Sequence, residues 1–206
     1  MKPQLLVVAL ALTTAVAGCA VQGPAVTAAS TAAESSSSVP PGYKLYKGDS
    51  YSLAVPEQWE AIPEDQRSMP EADAEIGVVY TGQATLQPTL FVTVDRTENL
   101  GSPYIQAQYF QVVVKNSLLD PVVGDIQEAQ VKGATSAVWF EYTYHMVETP
   151  SRFDTTIEAA DYRLRALMAQ APGTPMVSLR YGTEKSAFDE TVWQTLVDTL
   201  ELEPAK

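Results

Sequence analysis

Hydrophobic and polar positions change period several times along the chain, and each change marks an element. Tyr51, Leu53 and Val55 alternate with Ser52 and Ala54, as a half-buried strand requires; Pro56 ends the run and Trp59 follows closely. Ile76–Thr81 and Thr89–Val94 are apolar runs rich in β-branched and aromatic residues, and predict a strand pair around a loop containing Gly82 and Pro88. The period then becomes helical. Ser102 and Pro103 supply a cap and a first-turn proline, and Ile105, Tyr109, Val112, Val113 and Leu119 keep helical spacing behind them. Gln106, Gln108, Gln111 and Lys115 take much of the other side. The spacing predicts an amphipathic helix whose Ile105–Tyr109–Val112 face packs on a sheet.

After Pro121 the strand period returns, weakly over Val122–Val131 and strongly over Ser136–Met146, with Lys132-Gly133 as a hairpin turn between them. Val138, Phe140, Tyr142, Tyr144 and Met146 fall on one face of the long strand; Trp139, Glu141, Thr143 and His145 fall on the other. Pro150–Asp154 reads as a loop with Phe153 near its tip, and Thr156–Met168 as the next strand. Ala171–Pro175 makes a tight turn into the strand Met176–Tyr181. Ser186-Ala187-Phe188-Asp189 fits a capping box with Ser186 as cap. Phe188, Val192, Leu196 and Thr199, flanked by Trp193, Val197 and Leu200, form the apolar stripe of a final helix. Strands, helix, strands, helix, with hairpin-length connections late in the chain, predict an α+β fold: an antiparallel β-sheet with helices packed on it.

The N-terminus changes the picture from a bare domain to an exported one. Lys2, an apolar run from Leu5 to Ala17 and small residues before Cys19 have the form of a secretory signal peptide. The run is too short for a transmembrane helix, which needs about 20 apolar residues. Val16-Ala17-Gly18-Cys19 has the aliphatic–small–small–Cys form of a bacterial lipobox, in which cleavage falls between Gly18 and Cys19 and the thiol takes a diacylglycerol; a cleaved, non-lipidated leader is the alternative. The expected organisation is a signal peptide over 1–18, a lipidated N-terminus and flexible linker over 19–42, and a globular domain over 43–206. The expected location is the cell membrane, lipid-anchored and facing the extracytoplasmic side.

A formal net charge of −12 and a pI near 4.4 argue against nucleic acid and against adhesion to an anionic leaflet. Cys19 is the only cysteine, so the domain holds together without a disulfide. Glu57–Glu75 is an acidic loop in which Asp73 and Glu75 lie close; lacking EF-hand spacing, it reads as a solvated loop rather than a metal site. His145 is the only histidine, which excludes histidine-rich metal centres, and neither a nucleophile elbow nor a glycine-rich phosphate loop occurs. Glu141, four residues earlier and two steps along the same strand face, is its candidate orienter, but a merely hydrogen-bonded or solvated histidine is the plainer reading. No enzyme activity, cofactor or metal is expected.

Tyr51-Ser52-Leu53-Ala54-Val55-Pro56-Glu57-Gln58-Trp59 resembles the strand–Pro–x–x–Trp opening of the Mog1/PsbP-like fold, and the later elements follow in that order. With Cys19, the chain resembles the LpqN/LpqT-type actinobacterial lipoproteins over about Tyr43–Leu202. The resemblance implies an α/β/α sandwich and an envelope accessory or binding protein, some members being linked to envelope lipids or lipid-transport complexes; it carries over no catalytic residues. The residues themselves offer one candidate binding set: Trp139, Tyr142, Tyr144, Met146 and Phe153, with Met168 and Met176 nearby, as the lining of a groove for an acyl chain or hydrophobic peptide, which with the resemblance makes a lipid or glycolipid the expected ligand. The alternatives are that these side chains fill the core, and that the domain is a protein–protein adaptor in an envelope complex.

Overall fold

The structure is a computed structural model that describes residues 39–78, 88–97, 101–150 and 156–203. Gly18, Cys19 and most of the linker, Val79–Thr81 of the expected strand pair, and Phe153 lie outside the described residues.

The chain begins with β1 (Tyr43–Lys47), β2 (Tyr51–Pro56) and β3 (Trp59–Ala61), then β4 (Ala74–Val78) and β5 (Thr89–Asp95). Helix α1 (Pro103–Ser117) is followed by β6 (Leu119–Val123), β7 (Gln127–Glu128) and the long β8 (Ser136–Met146). A two-stranded ribbon, β9 (Thr149–Pro150) with β10 (Thr156–Ile157), leads into β11 (Ala160–Gln170) and β12 (Met176–Glu184). Helix α2 (Glu190–Thr199) and β13 (Glu201–Leu202) close it. The main sheet runs β3-β4-β5-β12-β11-β8-β6, with β7 also on β8, and β1-β2-β13 form a small second sheet; every strand pair is antiparallel. The fold is α+β, as the order of periods predicts.

Each face of the main sheet has its own core. On one, Val138, Phe140, Tyr142, Ala166, Met168 and Met176 pack beneath Ala107, Phe110 and Val114 of α1. On the other, Leu90, Val92, Leu167, Leu179 and Tyr181 pack against Leu53 and Val55 of the small sheet and Trp193, Leu196 and Leu200 from α2 and its end. A period of two on β8, β11 and β12 is what sends alternate residues into two separate cores. The turns follow their expected chemistry: Gly133 and Gly173 adopt positive φ, and the Ala134 and Thr174 amides close turns onto Val131 and Ala171.

Helix α1 departs from its expected orientation. Ser102 caps it, its hydroxyl accepting from the Ile105 amide, and Pro103 takes the first turn as expected. The face turned inward, however, is Pro103–Ala107–Phe110–Val114, while Ile105, Tyr109 and Val112 are 51%, 67% and 55% exposed. The helix carries two apolar stripes, and the sheet takes the one with the smaller residue. Ala107 is fully buried, which lets the backbone come close enough for Phe110 to sit edge-on over Phe140 and Tyr142, at ring distances of 5.8 and 6.0 Å.

Two smaller corrections follow from local hydrogen bonding. Asp189, not Ser186, caps α2, accepting from the Thr191 and Val192 amides at 2.8 and 3.2 Å; Ser186 sits in a preceding 3-10 turn and donates to Glu184. A carboxylate held at the first free amides satisfies them and complements the helix dipole. The expected strand Thr156–Met168 is interrupted after Ile157, and Val122–Val131 resolves into β6 and β7.

Candidate functional site

Helix α1 lies over β8, β11 and β6 and leaves β12 and β5 less covered on the same face. The segment from Ile62 to Asp73 comes over from the opposite side. Between them remains a cleft of about 450 Å³, within the usual size of a small-molecule site. Its floor is Thr93, Met168, Met176, Ser178 and Arg180; Gln106, Tyr109 and Phe110 form the helix wall, and Glu71, Asp73, Val94 and Asp95 the other rim.

The acidic residues of the rim are largely occupied in building it. Arg67 Nη1 donates to the Ala72 carbonyl at 2.8 Å and its Nε to the Ile62 carbonyl at 3.4 Å, which folds the segment back on itself. Buried Glu75 accepts from the amide and hydroxyl of Ser68 at 2.5 and 3.0 Å. Asp73 accepts from the Val94 amide at 2.5 Å and from Arg96 at 3.2 Å. Asp73 and Glu75, neighbours in sequence, therefore point to different partners.

Arg180 is the chemically distinctive residue of the floor. On β12, Val177, Leu179 and Tyr181 enter the other core, while Ser178 and Arg180 face the cleft. The Arg180 guanidinium carbon lies 5.4 Å from the Phe110 ring centre and 5.8 Å from that of Phe91, and Nη2 touches the Met69 sulfur. Burial lowers its pKa from the ordinary guanidinium value, opposed by the fields of Tyr142 and Glu71. The cleft thus combines two methionines and an aromatic wall with polar and acidic residues and a half-buried cation.

The residues singled out from sequence are divided between the two faces. Trp139 packs on Trp193 at 6.0 Å with the Arg165 guanidinium 4.9 Å from its ring, on the face away from the cleft. Tyr142 and Tyr144 share the cleft's face but continue an aromatic row, Phe140–Tyr142–Tyr144–Tyr162, with ring distances of 5.9, 6.4 and 5.6 Å. Burial raises both hydroxyls, that of Tyr144 to about 12, so they stay protonated. Met146 is half-buried at the end of β8. A single groove joining Trp139 to Tyr142 and Tyr144 is excluded, because adjacent positions of a strand project to opposite faces. Met168 and Met176 border the cleft, and both also belong to the core beneath α1, at 6% and 2% exposed.

His145 and Glu141 also separate. Nδ1 of His145 lies 3.0 Å from Asp161 Oδ1, directly across from it on β11. Glu141 instead takes Arg163 at 2.6 Å and Arg165 at 2.8 Å, and the same two arginines hold Glu190 at the start of α2 at 2.7 and 2.6 Å. Burial alone would raise the Glu141 carboxyl, but hydrogen bonds from Arg163 and Arg165 outweigh it and hold it below its ordinary value. This network fastens α2 to the sheet.

Arg180, Phe110 and Tyr109 are functional candidates that the sequence patterns did not single out. A cation at an inward position of Met176–Tyr181, among otherwise apolar or small residues, was the available signal for Arg180. Among the described residues no helix is long and apolar enough to cross a membrane.

No protein-family model matches the chain, and no curated protein matches it in sequence. Among solved structures it is similar to LpqN of Mycobacterium tuberculosis, a protein involved in cell envelope biogenesis. The two are 15% identical, with 79% of this chain and 91% of that one covered and a TM-score of 0.51. It is also similar to a protein of unknown function from Pseudomonas aeruginosa, 14% identical, covering 79% of this chain and 99% of that one with a TM-score of 0.46. At such identities the likeness to LpqN is one of fold.

Proposed function

We propose that the chain is a cell-envelope lipoprotein, anchored through acylated Cys19 on the extracytoplasmic side, whose domain is a non-catalytic module that binds an envelope lipid or glycolipid. The observation that carries the reading is the cleft beside α1: Met168 and Met176 at its floor, the Phe110 wall, and a volume of about 450 Å³. Methionines adapt to chains of varied shape, which suits a site for flexible acyl groups. The fold shared with LpqN agrees with work in the envelope.

A second reading, a protein–protein adaptor in an envelope complex, is favoured by the outward stripe of α1. Ile105, Tyr109 and Val112 stand exposed on one side of the helix, and Leu119 and Val122 are exposed just beyond its end. Native mass spectrometry of the protein extracted from its own membrane separates the two. A non-covalent acyl lipid retained by the chain supports the first reading. A stoichiometric protein lost on Ile105→Gln/Val112→Gln, with no lipid retained, supports the second. The anchor is tested separately: Cys19→Ala is expected to move the protein to the soluble fraction with its fold intact, and retention on the membrane would overturn lipid anchoring.

A further inference from the structure

We infer that the ligand of the α1 cleft is an amphiphile with one anionic head, a carboxylate or a phosphate monoester, and that Arg180 is the residue that binds this head. The inference rests on the lipid-binding reading and adds the head-group chemistry to it.

The position of Arg180 is the starting point. Strand β12 is central, hydrogen-bonded to β5 and β11, so Arg180 projects from the middle of the sheet face into the cleft, half-buried. Across the strands the residues opposite Arg180 are Phe91 and Ala166, neither of them charged. Its contacts are the Phe91 and Phe110 rings and the Met69 sulfur. Arg96, Arg163 and Arg165 each hold two carboxylates, whereas among the described residues Arg180 is in no ion pair.

That arrangement leaves a guanidinium, with five N–H donors in a planar fork, facing ring faces and a thioether. A half-buried cation without a counter-ion is unfavourable. A carboxylate or phosphate oxygen pair matches the fork and forms charge-assisted bonds to it. With the head at Arg180, a tail lies naturally over Met168 and Met176 beneath Phe110, all of them lining the same cleft.

Of two nearby carboxylates, Asp73 is ion-paired with Arg96 and also accepts from the Val94 amide, and Asp95 is hydrogen-bonded to the Thr97 backbone amide and keeps its charge. Glu71 stays exposed and acts on Arg180 only through space. Its charge opposes a second negative charge at the rim, so a singly charged carboxylate is expected to bind at least as tightly as a phosphate monoester, which carries about −1.5 to −2 near pH 7.

The test uses the full chain, purified and delipidated, and three probes with the same tail: dodecanoate, dodecyl phosphate and neutral dodecanol, each titrated by calorimetry. The wild type is expected to bind at least one anionic probe about tenfold or more tighter than dodecanol, the scale of a charge-assisted hydrogen bond. The tighter of the two names the source, fatty acid or phosphate ester. Arg180→Gln should bring the anionic probes to the level of dodecanol without changing dodecanol itself, and Arg180→Lys should keep part of the preference. Equal wild-type affinity for all three, or a loss on Arg180→Gln that is the same for dodecanol, overturns the assignment while leaving the lipid-binding reading in place. No binding of any probe overturns both. The wild-type comparison stands whether or not the variants fold.

Discussion

Replacing Val112 and, separately, Val114 by alanine makes one chemical change at two positions of α1 with opposite surroundings. Val114 is 3% exposed against the sheet, and Val112 is 55% exposed. Truncating Val114 removes two buried carbons, about 1.6 kcal/mol at roughly 0.8 per buried methylene, plus part of a cavity term. The higher helix propensity of alanine returns about 0.5 kcal/mol. The net expectation is a loss of about 1.5 kcal/mol for Val114→Ala. For Val112→Ala only the propensity gain survives, so stability is unchanged or rises by a few tenths of a kcal/mol. Urea titration followed by tryptophan fluorescence measures both, with the slope expected to be unchanged. In a thermal melt the Val114 variant should fall by roughly 3–6 °C. If Val112→Ala costs as much as Val114→Ala, or the order reverses, the helix is seated by its Ile105–Tyr109–Val112 face and the cleft as described does not exist.

At the other helix, Asp189→Ala should cost about 1 kcal/mol through loss of the cap, whereas Ser186→Ala should change stability by less than about 0.5; equal costs in chemical denaturation would restore the capping box read from sequence. Glu141 provides a pH-dependent prediction. Its carboxyl is held below the ordinary value in the folded state, so its contribution is present above that value and lost as pH falls through the folded pKa. Glu141→Gln should therefore cost about 1 kcal/mol at pH 7 and progressively less in acid. A loss that is the same at pH 7 and in acid would show that the Arg163–Arg165 network does not depend on this charge.

The antiparallel sheet and both helices were legible in the sequence because period and turn chemistry are local properties. Ser102-Pro103, Gly133 and the Ala171–Pro175 turn do the same work in the structure that their residue types predict. The orientation of α1 was not legible, because a helix with two apolar stripes has two ways to lie on a sheet. The choice depends on how closely Ala107 lets it approach and on Phe110 meeting Phe140 and Tyr142, contacts between residues about thirty positions apart. The candidate site was half legible for a related reason. Met168 and Met176 border the cleft as their positions suggest, but a shared aromatic character does not bring Trp139 to Tyr142 and Tyr144, because a period of two sends it to the opposite core. Arg180 acquires its meaning only from strand order, which places it in the middle of the sheet between β5 and β11.

The proposed lipid-binding role requires an acyl chain to lie in the cleft beside α1 rather than on the helix's outer face. A fatty-acid analogue carrying a photoactivatable diazirine in its tail, bound to the full chain, irradiated and mapped by peptide mass spectrometry, reads this directly. Labels on Phe110, Met168 and Met176 are the expected result, since these side chains line the cleft. Labels confined to Ile105 and Val112, the exposed stripe, with the cleft residues unmodified, would contradict it.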